Sequence, residues 1–398
     1  METTATSAPP RKAARNTLLL FLVPLVVLAG VIALFVSTNG AGLNVQPAAP
    51  LETVQFTRTI LRPGEIRFHV QNTSPQELTI TQIAINDAFW PFTASPRTTI
   101  PRLGTAVFTL RYPWVEGETY AAKFVSSNSI AFETDIPVAT TTATASPATL
   151  WSFTLIGLYV GIIPVLLGLC WYPALRRLGR RSMMFLMALT AGLLVYLGID
   201  ATNEGLEVAG EVGGAFQGVG LVGISIVVTF LVLDAITRRQ VSVGRSEAAQ
   251  RATVAFMIAI GIGLHNLGEG LAIGAAYSVG AAALGTFLVI GFILQNITEG
   301  LGILAPIVKD KPSLRSLALM GLVAGGPAII GAWVGGLTYA RPLAVVFLGI
   351  GAGAVFEVAY EIAKLIRKDA VKRPMPLTIV GGVTAGMLML YGTGVLIK

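Results

Sequence analysis

The sequence predicts an all-α membrane bundle of about eight transmembrane helices, preceded by one signal-anchor helix and an all-β sandwich domain. Three observations predict it. Of 398 residues, 54% are hydrophobic and only 12% charged, about half the charged share of a soluble domain. Apolar runs near the roughly 20 residues of a bilayer span recur through the second half. Between residues 51 and 138, short runs of Val, Ile, Thr and Phe alternate with polar residues instead.

Four domains follow from these shifts: a basic tail and signal-anchor helix (1–50), an extracytoplasmic β-sandwich (51–139), a linker (140–150) and the bundle (151–398). Arg11, Lys12 and Arg15 precede an apolar run from about Thr17 to Val36, whose length favours an anchor; Gly40-Ala41-Gly42 leaves cleavage open. In the second domain, turn signals at Pro63-Gly64, Asn72 to Pro75, Ser95-Pro96 and Glu116-Gly117 have the spacing of a sandwich. A blue-copper site needs two His and a Cys. This region has only His69, read as an ordinary strand residue. The stretch Thr140 to Pro147, rich in Thr, Ala and Pro, reads as linker.

The apolar segments of the bundle span about 151–172, 184–208, 213–235, 252–276, 281–306, 314–337, 342–363 and 376–397. Basic residues follow the first (Arg176 to Arg181), third (Arg238 to Arg251), fifth (Lys309 to Arg315) and seventh (Lys364 to Arg373). The other connections hold almost none, Arg341 excepted. By the positive-inside rule this puts the N-terminal tail in the cytoplasm, and the sandwich and C-terminus outside, in a multi-pass protein expected in the plasma membrane. The net charge of +7 is thus loop charge rather than a nucleic-acid footprint. The single cysteine, Cys170, excludes an internal disulfide and a thiolate metal site.

Ionisable groups inside membrane helices are costly and usually functional. Four segments carry a polar pair four residues apart, and so on one helix face: Asp200 and Glu204, His265 and Glu269, Gln295 and Glu299, Glu357 and Glu361. Three of them continue as Glu-Gly-Leu. No Lys or Arg lies deep in these helices, so each carboxylate must protonate or bind a cation. Carboxylate with imidazole suits zinc, iron, manganese, cobalt or cadmium rather than copper(I). His265 lies about 13 residues, ~20 Å, above the start of its segment. Gln295 lies as far below the start of the next, so the two meet near mid-membrane, where transporters place substrates.

At these residues the chain resembles the ZIP (Zrt/Irt-like) family of divalent metal transporters. The family's fourth- and fifth-helix motifs read here His265-Asn266-Leu267-Gly268-Glu269-Gly270 and Gln295-Asn296-Ile297-Thr298-Glu299-Gly300, and the resemblance covers about 150 to 398. It implies an eight-helix bundle with both ends outside, which is a transporter and not an enzyme. It implies a principal site of His265, Glu269, Gln295 and Glu299, a second site flanked by Asn266 and Asn296, and a ligand from Glu204. The cargo it implies is a divalent metal, zinc first. Asp200 and Glu357 complete the candidate set; Asp200 with Glu204 reads equally as an acidic entrance or a wetted helix end. Glu361 reads as a surface partner of Lys364. Where family members often have Pro before the acid and an acid at the position of Asn296, this chain has Gly268, Thr298 and Asn296. The sandwich is an addition to the family core.

Two other classes stay in view. One is a metal-binding receptor that does not pass the ion. The other is a di-metal membrane enzyme, disfavoured because the bundle holds one histidine. Glycine-rich faces such as Gly349 to Gly353 allow close packing within a protomer or in a homodimer. Metal ions and lipid are the expected partners.

Overall fold

The computed structural model describes residues 11–38, 52–142, 144–241, 246–278, 282–338, 340–372 and 374–397. The tail before Arg11, the stretch Gly40 to Gly42 and residues 242–245 of the basic loop lie outside them. In the N-terminal unit, α1 (Arg11–Ser37) is one helix with Pro24 inside it. Its 27 residues reach ~40 Å, enough to cross a bilayer.

The second unit begins with two antiparallel sheets. One has the order β1 (Val54–Arg62), β2 (Glu65–Asn72), β7 (Thr105–Arg111), β5 (Phe92–Ser95); the other runs β4 (Ala88–Phe89), β3 (Leu78–Ile85), β8 (Tyr120–Ser126), β9 (Ala131–Ile136), with β6 (Thr99–Ile100) paired to β3. Burial alternates strictly along β2, as period-2 patterning requires of a strand with one face in a core. Phe124 of the second sheet meets Phe68 and Phe108 of the first edge to face, at 5.2 and 5.5 Å between centroids, the preferred geometry for aromatic pairs. The turn signals lie where the chain reverses. Gly64 and Gly117 both have positive φ, which glycine adopts without steric cost.

His69 is a half-buried β2 residue paired with Val107 and Arg58. Burial, and then the charges of Arg58 and Arg67, lower its proton affinity below the ordinary histidine range. Among the described residues it belongs to no group of three or more His, Cys, Asp or Glu placed to hold a metal ion. His69→Asn should therefore leave metal binding by the full chain unchanged in equilibrium dialysis. A lost ion would move the ligand set into the sandwich.

Among the described residues, eight helical segments follow. The first is α2 (Pro147–Gly157), a π turn (Leu158–Ile162), α3 (Ile163–Cys170) and the short α4 (Tyr172–Leu175). Next come α5 (Arg180–Gly210), α6 (Gly218–Val241), α7 (Glu247–Ser278) and α8 (Ala282–Leu304). The sixth is α9 (Leu314–Gly325) with α10 (Pro327–Thr338), then α11 (Arg341–Lys372) and α12 (Pro376–Ile397). Among the described residues, six spans are long and apolar enough to cross a membrane, and α8 and α12 hold shorter apolar stretches. α7 is the most buried of the six and α6 the least. The sixth span breaks before Pro327, which has no N–H to donate and crowds the preceding turn.

The sandwich and bundle touch through two arginines. Arg58 of β1 donates to the carbonyl of Leu337 at 2.7 Å. Arg341 pairs with Glu211 at 2.7 Å and donates to the carbonyl of Phe56. That contact explains the one basic residue that breaks the loop-charge alternation. The glycine face of α11 is used within the protomer: a Cβ on Gly349 would lie 2.6 Å from Ser225, and one on Gly353 2.4 Å from the carbonyl of Ile226, both on α6.

Candidate metal centre

α7 and α8 run unbroken through the two motifs. On α7, four-residue spacing stacks His265 over Glu269, with Nε2 3.3 Å from Oε1. On α8 the same spacing aligns Gln295 with Glu299. One ligand atom from each of His265, Glu269 and Glu299 falls within 4.8 Å of the others, and all three residues are buried. Gln295 joins them: its Nε2 donates to Glu269 Oε1 and lies 3.4 Å from His265 Nε2.

Glycine after each acid permits this convergence. A Cβ on Gly270 would sit 2.1 Å from the carbonyl oxygen of Ala328 on α10, and one on Gly300 2.5 Å from that of Val165 on α3. So the glutamates point at one another while the next residue presses backbone against a third helix. In the third copy of the pattern, Gly205 would meet nothing closer than 3.6 Å, an ordinary contact.

Both asparagines are held by backbone irregularities in neighbouring helices. Asn296 Nδ2 donates to the carbonyl of Val160, inside the π turn, and to Glu269 Oε2, both at 3.0 Å. Asn266 Nδ2 donates to the carbonyl of Ala324 at 3.0 Å, two residues before the break between α9 and α10. With the amide nitrogens committed, Oδ1 of each asparagine is buried without a donor, as are both oxygens of Glu299. Each such acceptor costs about 1–3 kcal/mol if nothing pairs with it. A set of acceptors facing an imidazole nitrogen and a second carboxylate is satisfied by a cation, and the donor set of nitrogen and oxygen fits a divalent first-row metal.

A narrow cavity of about 20 Å³, lined by Asp200, Glu204, His265, Glu269, Phe292 and Leu348, leads to this centre. Its volume is about that of one water probe. Glu204 is half-buried on its wall and Asp200 is exposed; neither stands in the ligand-distance group.

Glu357 lies elsewhere. It forms a second buried group with Glu361 on the same helix and Asp234 on α6, their oxygens within 4.8 Å of one another. Thr237 Oγ1 donates to Glu357 Oε1 at 3.2 Å. Glu361 does pair with Lys364, yet it is buried rather than at the surface. Sequence reasoning did not single out Asp234; the signal was a carboxylate inside the apolar run Leu231 to Ile236.

Comparison with known families gives one finding: the model of the ZIP zinc transporter family matches residues 234–360. No curated protein sequence matches the chain. The match runs from the end of α6 into α11 and contains His265, Asn266, Glu269, Gln295, Asn296, Glu299 and Glu357. Over residues 234–360 this multi-pass membrane protein is similar to the ZIP zinc transporter family.

Proposed function

We propose that the protein carries divalent metal, zinc first, into the cytoplasm across the plasma membrane by alternating access, with His265, Glu269, Gln295 and Glu299 as the ion's ligands. The observation that carries this reading is the buried convergence of an imidazole and two carboxylates from α7 and α8, beside acceptor oxygens that lack donors. Four-coordinate zinc has ligand distances near 2.0–2.2 Å, so its donors stand roughly 3.4 Å apart. His265 Nε2 and Glu269 Oε1 already stand near that separation, at 3.3 Å, and a Glu299 oxygen lies within 4.8 Å of both. Loading the ion replaces the Gln295 hydrogen bond on Glu269, freeing the amide to turn its oxygen to the ion.

Protons compete for the same groups, so uptake falls in acid. Asp200 and Glu204, along the cavity, raise the local concentration of cations. Proteoliposomes loaded with a fluorescent chelator test the reading with zinc, iron(II), manganese, cobalt and cadmium. Saturable influx, slower at low pH, is the expected result. Saturable binding with no influx of any ion would replace it with a receptor that does not pass the metal.

A further inference from the structure

The second acidic group is built differently from the first. Asp234, Glu357 and Glu361 are 8%, 1% and 4% exposed. Two cations face them. Arg238 Nε holds Asp234 Oδ2 at 2.7 Å. Lys364 pairs with Glu361, and its Nζ stands 3.9 Å from Asp234 Oδ1 and 4.7 Å from the centre of the Tyr360 ring. Three carboxylates thus meet two positive charges. Asp234 Oδ1 is buried and accepts no hydrogen bond; at 3.9 Å the ammonium lies beyond hydrogen-bond reach of it.

The place of the group along the bundle is also fixed. On α11, Gly351 stands against His265: a Cβ there would be 3.3 Å from Nδ1. Glu357 is six residues further along the same helix, ~9 Å, and Glu361 is ten, ~15 Å. Beyond them, toward the basic end of α11, opens a cavity of about 590 Å³ that Thr237, Arg238, Glu361, Lys364 and Lys368 help to line. The acidic group therefore separates the candidate metal centre from that cavity.

We propose that Lys364 is a tethered cation seated in a second divalent-cation site made by Asp234, Glu357 and Glu361, and that an ion reaching this site displaces the ammonium into the adjoining cavity. The arrangement supplies both parts of such a device. The ligands are buried, close together and include an oxygen with no donor. The ammonium that neutralises them sits on a flexible four-carbon stem, a third exposed, beside space large enough to receive it. While Lys364 is seated, a divalent ion would face Lys364 and Arg238 together and be repelled. Once an ion arrives, it offers two charges against one, and the ammonium leaves. Its return ejects the ion, so the site holds metal only briefly. This deepens the transport reading, and rests on an ion travelling along the bundle; the site's capacity for metal does not.

Equilibrium binding of zinc to the purified full-length chain tests it, with bound ions counted by mass spectrometry. In a Glu269→Ala/Glu299→Ala background, Lys364→Gln is expected to create one saturable ion per chain, bound at least tenfold more tightly than when Lys364 is present. Lys364→Arg, which keeps the charge, is expected to create none. Adding Asp234→Asn to Lys364→Gln should remove the ion. In the otherwise unaltered chain, Lys364→Gln should raise the count by one, which guards against misfolding of the background. No ion gained with Lys364→Gln in either setting, or an ion that survives Asp234→Asn, overturns the proposal. Because the first setting lacks the α7–α8 ligands, failure there is distinct from failure of the principal site.

Discussion

Replacing Glu269 and Glu299 together by alanine is expected to abolish zinc binding at the principal centre, by more than about 1000-fold. Outer partners of a metal ligand typically cost 10–100-fold when removed. Here two of the three buried anionic or imidazole groups go at once, and His265 with Gln295 cannot hold a dication in a low-dielectric site. A thousandfold loss corresponds to about 4 kcal/mol. Titration calorimetry on the purified variant measures it, and retained binding would dissolve the ligand assignment. The conservative pair Glu269→Gln and Glu299→Gln keeps shape and removes charge, so equal losses in both variants locate the effect in charge.

Gly270→Ala should be the most damaging single substitution next to the centre. The carbonyl of Ala328 lies 2.1 Å from where its Cβ would stand, and that neighbour is backbone, with the carbonyl carbon and Cα at 2.9 and 3.0 Å. α7 and α10 would have to part. Overpacking of this kind costs about 1–3 kcal/mol even when side chains can adjust, and here only helices can. The expected result is a lower melting temperature together with metal affinity reduced at least tenfold, because α7 carries both His265 and Glu269. Gly205→Ala is the matched control: its nearest neighbours are side-chain carbons of Val222 and Leu348 at 3.6 Å, and the same measurements should scarcely change. Equal damage at both positions would mean the close approach of α7 and α10 is not what the glycine serves.

Much of this architecture is legible in the sequence because bilayer thickness and strand alternation impose one-dimensional rules. Apolar length marks the eight spans, alternating basic loops mark their connections, and Pro-Gly or Glu-Gly marks the sandwich turns. The meeting of His265 with Glu269 follows from 3.6-residue periodicity alone. What was not legible depends on neighbours distant in sequence. Asp234 gains its meaning from Glu357, 123 positions away (357 minus 234). The pattern Asp200 to Leu206 looks like its two counterparts, yet Glu204 stands six residues from the end of α5, whereas Glu269 is nine from the end of a longer helix. Identical spacing nearer a helix end leaves Glu204 half-buried on a cavity wall; deeper in its helix it brings Glu269 into the buried centre. Nor does any local signal place a π turn at Leu158 to Ile162 or aim its carbonyl at α8.

That π turn ties the identity of residue 296 to the backbone of a different helix. The carbonyl of Val160 and Oε2 of Glu269 both receive a hydrogen from the Asn296 amide. An aspartate there would set a carboxylate against two acceptors and leave both undonated. Asn296→Asp should therefore cost more than one hydrogen bond, because two buried acceptors on two different helices lose their donor at once.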